Sequence, residues 1–289
     1  MRSINANSIA PSARKWLTYS RYPRILHVFD LACNLINEHR EVLSIVTQQI
    51  GNGPFNLVIE NDVCFSEYLN IESPVTVARA QLHFGDLTIN TADAKPWVPR
   101  PDWESLHTQK NEFLNQIISL QVTLSDAGGK PGNPLTATLP VTNYQSLVSD
   151  LCSALVTIDL SSALKIASKL TGLGAGLTPA GDDFILGAIY AAWIIHPPEI
   201  ASVLAERITN AAAPLTTSLS AAWLRSAGSG EAGMLWHAFF ESLLAGNQVE
   251  IQYQIARLLS VGASSGADAL AGFTGTFSRW AELASSKIT

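Results

Sequence analysis

The apolar positions of this chain change period once. Up to about Arg100 they fall in short β-branched or alternating runs: His27-Val28-Phe29, Val42 to Val46, Phe55 to Ile59, Val75-Thr76-Val77 and Leu87 to Asn90. Such runs predict strands, because alternate side chains point to opposite faces of a sheet. Gly51-Asn52-Gly53-Pro54 and Gly85-Asp86 supply turns between them. The first hundred residues therefore predict a compact antiparallel sheet or small barrel.

From Trp103 onward the period is helical. Glu104 to Leu124 reads as a first long helix and Asp126 to Pro134 as a loop. Further helices are predicted at Asn143–Thr157, Ser161–Leu170, Asp182–Ile195, Pro198–Ala212, Ser218–Ala227, Gly233–Leu244 and Val249–Leu259, with another starting near Gly266. The expected class is α+β, with a β-rich N-terminal domain at 1–100 and a helical domain at 101–289.

Composition narrows the setting. Of 289 residues, 47% are hydrophobic and only 15% charged, so the chain is apolar enough for a large core and for a sizeable buried interface, homo-oligomeric contacts included. A net charge of −6 argues against nucleic-acid binding, which calls for a basic face. The longest apolar stretch, Phe184 to Ile195, is too short to span a bilayer and ends at His196-Pro197-Pro198. The polar stretch up to Pro23 lacks the apolar segment of a signal peptide, so no membrane association is expected and the cytoplasm is the expected compartment.

Cys33, Cys64 and Cys152 are odd in number and far apart, which suits buried thiols rather than a disulfide framework or a zinc site. His27, His39, His83, His107, His196 and His237 show no metal-ligand spacing. Trp97, Trp103, Trp193, Trp223 and Trp236 are expected in a core or an interface.

The chemistry concentrates in TGLGAGLTPAGDDFILG, Thr171 to Gly187. Gly172, Gly174 and Gly176 permit a backbone that approaches a ligand closely. Thr178 fits a helix N-cap with Pro179 at the first helical position, which places Gly181, Asp182 and Asp183 near the positive end of a helix dipole. Backbone amides there can hold an anion, and the carboxylates can accept a proton or ligate a metal. The plainer alternative is that the glycines permit close helix packing while the aspartates complement the dipole.

A second stretch repeats the pattern. Gly181 to Gly187 and Gly266 to Gly272 share the spacing Gly-x-Asp-x-x-x-Gly, each after hydroxyl residues. Asp183 and Asp268 would then enter equivalent helices whose starts converge on one anionic ligand, with Ser264, Ser265 and Gly266 contributing from the second helix. Between them, Thr216 to Glu231 offers a hydroxyl-marked helix start at Thr217 and a guanidinium, Arg225, suited to clamping a carboxylate or phosphate. Arg225 can equally pair with Glu231 or face solvent.

The glycine run lacks the Gly-Lys-Ser/Thr ending of a nucleotide P-loop and follows no convincing strand, and no Gly-x-Ser-x-Gly elbow is present.

Three segments together, GLGAGLTPAGDDFILG, TTSLSAAWLRSAGSGE and VGASSGADALAGF, resemble the AllH-type subunit family of oxamate carbamoyltransferase, with weaker likeness in HVFDLACNL and GNGPFNLVIE. One departure is Ala263, where many relatives are expected to carry a histidine before the Ser-Ser-Gly or Thr-Ser-Gly step. The resemblance implies a part in allantoin and purine nitrogen catabolism, with oxalurate and phosphate converted to oxamate and carbamoyl phosphate alongside partner subunits.

On that reading Asp182, Asp183 and Asp268 are the candidate catalytic residues. Gly174, Gly176, Thr178, Gly181, Thr217, Arg225, Ser264, Ser265 and Gly266 are the candidate contacts to small carboxylate and phosphate anions. Two other readings stand beside it: a non-catalytic metabolite-binding or scaffold subunit, and a stand-alone hydrolase or lyase using Mg²⁺ or Mn²⁺ held by aspartates.

Overall fold

A computed structural model describes residues 2–60, 63–78, 80–114, 116–117 and 141–286. The expected loop at Asp126–Pro134 and the end of the helix expected at Glu104–Leu124 lie outside the described residues. The chain divides into two compact units, one of residues 1–99 with 232–234 and one of residues 100–231 with 235–289.

The first unit is a nearly closed barrel. Its nine strands are β1 (Arg2–Ile9), β2 (Arg24–Val28), β3 (Ala32–Ile36), β4 (Val42–Val46), β5 (Asn56–Ile59), β6 (Val75–Ala78), β7 (Gln81–Phe84), β8 (Leu87–Asn90) and β9 (Lys95–Pro96). They follow the order β2-β3-β4-β5-β1-β8-β7-β6, with β9 also on β1. Of the two forms expected, an antiparallel sheet or a small barrel, the barrel is the one found, and not all of its strand pairs are antiparallel. β1 runs parallel to β8 (Ile4 opposite Ile89) and to β9, and β4 runs parallel to β5 (Ile45 opposite Leu57).

Helix α1 (Pro11–Tyr19) lies between β1 and β2 in the chain and buries Ala13 and Trp16 in the barrel core beside Ile4, Leu35, Leu43 and Ile59. A single turn, α2 (Phe65–Tyr68), follows β5. The sequence pattern does not mark β1, β3, β7, β9, α1 or α2. In β1 the inward positions are Ile4, Ala6 and Ser8, so small and polar groups dilute the alternation.

The second unit contains α3 (Trp103–Thr108), α4 (Val141–Val156), α5 (Leu160–Leu170), α6 (Ala180–Ile195), α7 (Pro198–Ala212), α8 (Ser218–Gly228), α9 (Met234–Leu244, whose first residue belongs to the first unit), α10 (Gln248–Leu259) and α11 (Ser265–Ser285). Acceptors at helix starts fix several boundaries: Asp102, Asp159, Thr217 and Asn247 each take a backbone N–H three residues on.

The apolar run noted in the sequence is α6. All 16 of its residues are buried, so it is a central helix of the bundle. Around it, Trp103, Tyr190, Trp193, Trp236, Phe240 and Phe273 pack as an aromatic cluster in which Trp103 and Trp193 stack at 5.6 Å. Among the described residues no helix is long and apolar enough to cross a membrane.

Helix α6 packs most extensively on α11, and glycine makes this possible. A Cβ on Gly187 would lie 1.7 Å from the Ala269 carbonyl oxygen, and one on Gly272 would lie 2.0 Å from that of Phe184. One register offset relates Gly187 to Gly272 and Phe184 to Ala269. The contact is therefore pseudo-two-fold, with each helix offering its glycine to the other's backbone. The same offset relates Gly181 to Gly266, which sit 2.0 and 1.7 Å from the carbonyl oxygens of Leu170 and Leu258 by the same measure. The repeated Gly-x-Asp-x-x-x-Gly spacing is a real structural equivalence.

Candidate functional site

The N-terminal ends of α6 and α11 meet, with Thr178 Oγ1 and Ser265 Oγ 2.8 Å apart. Helix α6 begins at Ala180, with Pro179 in the N-cap position and no side-chain cap. The expected cap by Thr178 is thus corrected: its hydroxyl turns to the other helix start instead. Pro179 has no N–H to donate, and its carbonyl accepts the amides of Asp182 and Asp183.

The preceding loop keeps its glycines for backbone geometry. Gly172, Gly174 and Gly176 all have positive φ. At Gly174, with φ +114°, a Cβ would also lie 2.7 Å from the Ala180 nitrogen, whereas Gly176 has nothing within 4 Å of its open side. Some loop donors are spent locally, since Gly172 N–H goes to Asp182 and Gly181 N–H to the Leu173 carbonyl. The five successive amides from Gly174 to Thr178 donate to no partner among the described residues. Ala175 and Gly176 are exposed. A run of unspent N–H groups beside helix starts suits an anion.

The three aspartates divide by their surroundings. Asp182, fully buried, accepts hydrogen bonds from Gly172 N–H at 2.8 Å, from Ser220 Oγ at 2.7 Å and from Thr216 Oγ1. Burial raises its pKa, and those three donors oppose the rise. Its oxygens are occupied in tying the loop and the start of α8 to α6.

Asp183 and Asp268, 9% and 1% exposed, each keep an Oδ2 that is buried and without a hydrogen-bond partner. Burial pushes Asp183 up to about 8, opposed by the Ser265 hydroxyl and reinforced by the charge of Asp268. Burial also lifts Asp268 to about 6, opposed by the Ser264 hydroxyl. Tyr144 on α4 senses both charges, which together with burial raise its pKa. No motif marks Tyr144, and only the packing of α4 on α11 reveals it.

The remaining expected residues separate. Ser264 and Ser265 join the carboxyl pair. Gly181 and Gly266 pack against helix-end carbonyls, so they set the helix spacing. Thr217 caps α8, accepting from Ser220 N–H at 3.1 Å, and donates to the Leu177 carbonyl at 2.5 Å, fastening the glycine loop.

Arg225 is not at this site. It lines a separate cleft of about 350 Å³ with Arg100, Trp193, Glu206, Asn210 and Ser229. Trp193 lies ten residues beyond Asp183 on α6, roughly 15 Å along the helix axis. Arg100 is held there, donating to the Ser229 carbonyl at 2.7 Å and lying 4.9 Å over the Trp193 ring.

Among the described residues no cluster of three or more His, Cys, Asp or Glu could hold a metal. Cys33 and Cys152 are buried thiols that burial pushes to about 12 and about 11, outside the range of a reactive thiolate.

The comparisons with known proteins cover both units. Residues 170–277, which include the glycine loop and both aspartate-bearing helix starts, match the family described as oxamate carbamoyltransferase subunit AllH. Residues 5–96 match the AllH family N-terminal domain. No curated protein and no solved structure matches the chain. With most of its length matched by these two profiles, the chain belongs to the AllH family of oxamate carbamoyltransferase subunits.

Proposed function

We propose that this chain is the subunit of a carbamoyltransferase in which the joined starts of α6 and α11 hold the reacting anions, and that the complex converts oxalurate and phosphate into oxamate and carbamoyl phosphate in allantoin breakdown in the cytoplasm. The observation that carries the reading is the run of unspent amides from Gly174 to Thr178 next to two carboxyl groups with free oxygens.

The reaction needs orientation more than covalent help. A phosphate oxygen attacks the carbamoyl carbon, the bond from that carbon to the oxamate nitrogen breaks, and the nitrogen gains a proton as phosphate gives one up. Oxyanion charge on phosphate and on the attacked carbonyl suits amide donors at helix N-termini. Asp183 and Asp268 are the ionisable groups of the reaction centre, and the hydroxyls of Thr178, Ser264 and Ser265 position them. The hetero-subunits complete the open side of the loop at Gly176. Ala263, in place of the expected histidine, leaves the α11 start to work through its serine hydroxyls.

The test is carbamoyl phosphate formation from oxalurate and phosphate by the complex assembled with its partner subunits. Asp183→Asn is expected to lower the rate at least hundredfold while the complex still assembles. Full activity in that variant would make this chain a scaffold whose partner performs the chemistry. Thermal shift of the chain alone with phosphate or oxalurate adds an independent reading: a ligand at 100 times its Kd stabilises the fold by about 2.7 kcal/mol.

A further inference from the structure

Buried carboxylates are costly unless donors or cations satisfy them. Asp182 shows how this unit satisfies one, with a backbone N–H and two hydroxyls. Asp183 and Asp268 follow a different pattern. Each has a hydroxyl neighbour on one side and, on the other, an Oδ2 sealed from solvent with no donor.

The two are equivalent under the pseudo-two-fold of α6 and α11, close enough for the charge of one to act on the other, and both are sensed by Tyr144. No hydrogen bond joins them, so they do not share a proton directly. Both free oxygens are buried and lack a donor, so a cation would supply the partner that each is missing. The surrounding donor atoms are all hard oxygens: two carboxylates and the hydroxyls of Thr178, Ser264 and Ser265. Two carboxylates are the usual protein contribution to a Mg²⁺-type site, whose remaining positions go to water and to substrate phosphate. Three acidic or imidazole ligands are not required for such a site.

We propose that Asp183 and Asp268 together bind one divalent cation of the Mg²⁺ or Mn²⁺ class at the joined starts of α6 and α11, through their free Oδ2 atoms. Its place beside the amide run makes it a second grip on phosphate, and in that part the proposal deepens the carbamoyltransferase reading. Cation binding itself needs no substrate.

The experiment is titration of the full chain with Mn²⁺, followed by electron paramagnetic resonance, in buffer free of phosphate and substrate. One saturable Mn²⁺ per chain is expected, displaced by Mg²⁺, with affinity falling at least tenfold in Asp183→Asn and in Asp268→Asn. Glu206→Gln, a carboxylate of the separate cleft, should bind as the wild type does.

Tyr144→Phe tests position without removing a carboxylate. Tb³⁺ emission sensitised through Tyr144 should drop while the Mn²⁺ count stays at one. Absence of saturable binding overturns the proposal, and so does binding that neither aspartate variant weakens or Tb³⁺ emission indifferent to Tyr144. Because no substrate is present, a failed cation titration leaves the transfer reaction standing, and an inactive complex leaves the cation site standing.

Discussion

Gly187 faces the carbonyl oxygen of Ala269 so closely that a methyl group on it would lie 1.7 Å from that oxygen. The pseudo-symmetric partner contact, Gly272 against Phe184, is equally closed. Backbone cannot yield as a flexible side chain can, so any Cβ here must push α6 and α11 apart. Gly187→Ala and Gly272→Ala are each expected to destabilise the chain by about 3 kcal/mol, at the upper end of overpacking costs. The melting temperature should fall by something of order 10 °C. A melt within 2 °C of wild type for both variants would mean that the helices are not held at this spacing in solution.

Asp182 poses a different test, because three donors converge on it from the loop, from the segment after α7 and from α8. Asp182→Ala strands Gly172 N–H and the Thr216 and Ser220 hydroxyls in a buried space. The expected loss is about 3 kcal/mol, from charge-assisted bonds and unsatisfied donors together. Urea unfolding measures it, and the loop should also become protease-sensitive near Ala175. A variant as stable and as resistant as wild type would show that this network does not fasten the loop.

These two cases show what the sequence can and cannot disclose. Gly181, Gly187, Gly266 and Gly272 stood out because close backbone approach tolerates no other residue, so the packing rule is written in the spacing itself. The separate fates of Asp182 and Asp183 were hidden. Adjacent residues on a helix point about 100° apart, and only the position of Thr216 and Ser220 decides which carboxylate is consumed. Arg225 stands apart for the same reason, since its face of α8 turns toward Glu206 and Trp193. In the barrel, the parallel pairing of β1 with β8 depends on partners some eighty residues apart, which local alternation does not encode. Tyr144 carries no motif and reaches the site only through the packing of α4.

Asp183→Asn should separate folding from function. The carboxyl oxygen it replaces has no hydrogen-bond donor to lose, and the amide removes an ionisable group from a buried position. In chelator-containing buffer its stability is expected within about 1 kcal/mol of wild type, or above it, the range of substitutions that strand no buried group. The same variant should lose transfer activity in the assembled complex. A large loss of stability would move Asp183 from the reaction centre to the scaffold that Asp182 occupies.

His196, just beyond the end of α6, gives the helical unit a dependence on pH. Its Nε2 lies 2.9 Å from the Leu155 carbonyl oxygen, to which it donates, and His107 and Lys110 are its titratable neighbours. Burial, first, and those two groups lower its pKa below 6.5, while the bond to Leu155 acts in the opposite direction. The unfolded chain therefore binds a proton at pH values where the folded chain does not, so stability is full above about 6.5 and declines as pH falls through that value. His27, half-buried on β2 with its Nδ1 closed off and without a hydrogen-bond partner, shifts in the same sense. The raised carboxyls of Asp183 and Asp268 tilt the pH dependence oppositely, which makes the comparison with a variant decisive. His196→Gln keeps a donor for Leu155 but cannot titrate, so its unfolding free energy, measured in urea from pH 7.5 to 5.5, should decline less on acidification than that of wild type. Parallel curves for the two proteins would show that His196 takes up its proton without cost in the fold, and that the carbonyls at the ends of α4 and α6 accommodate the charged ring.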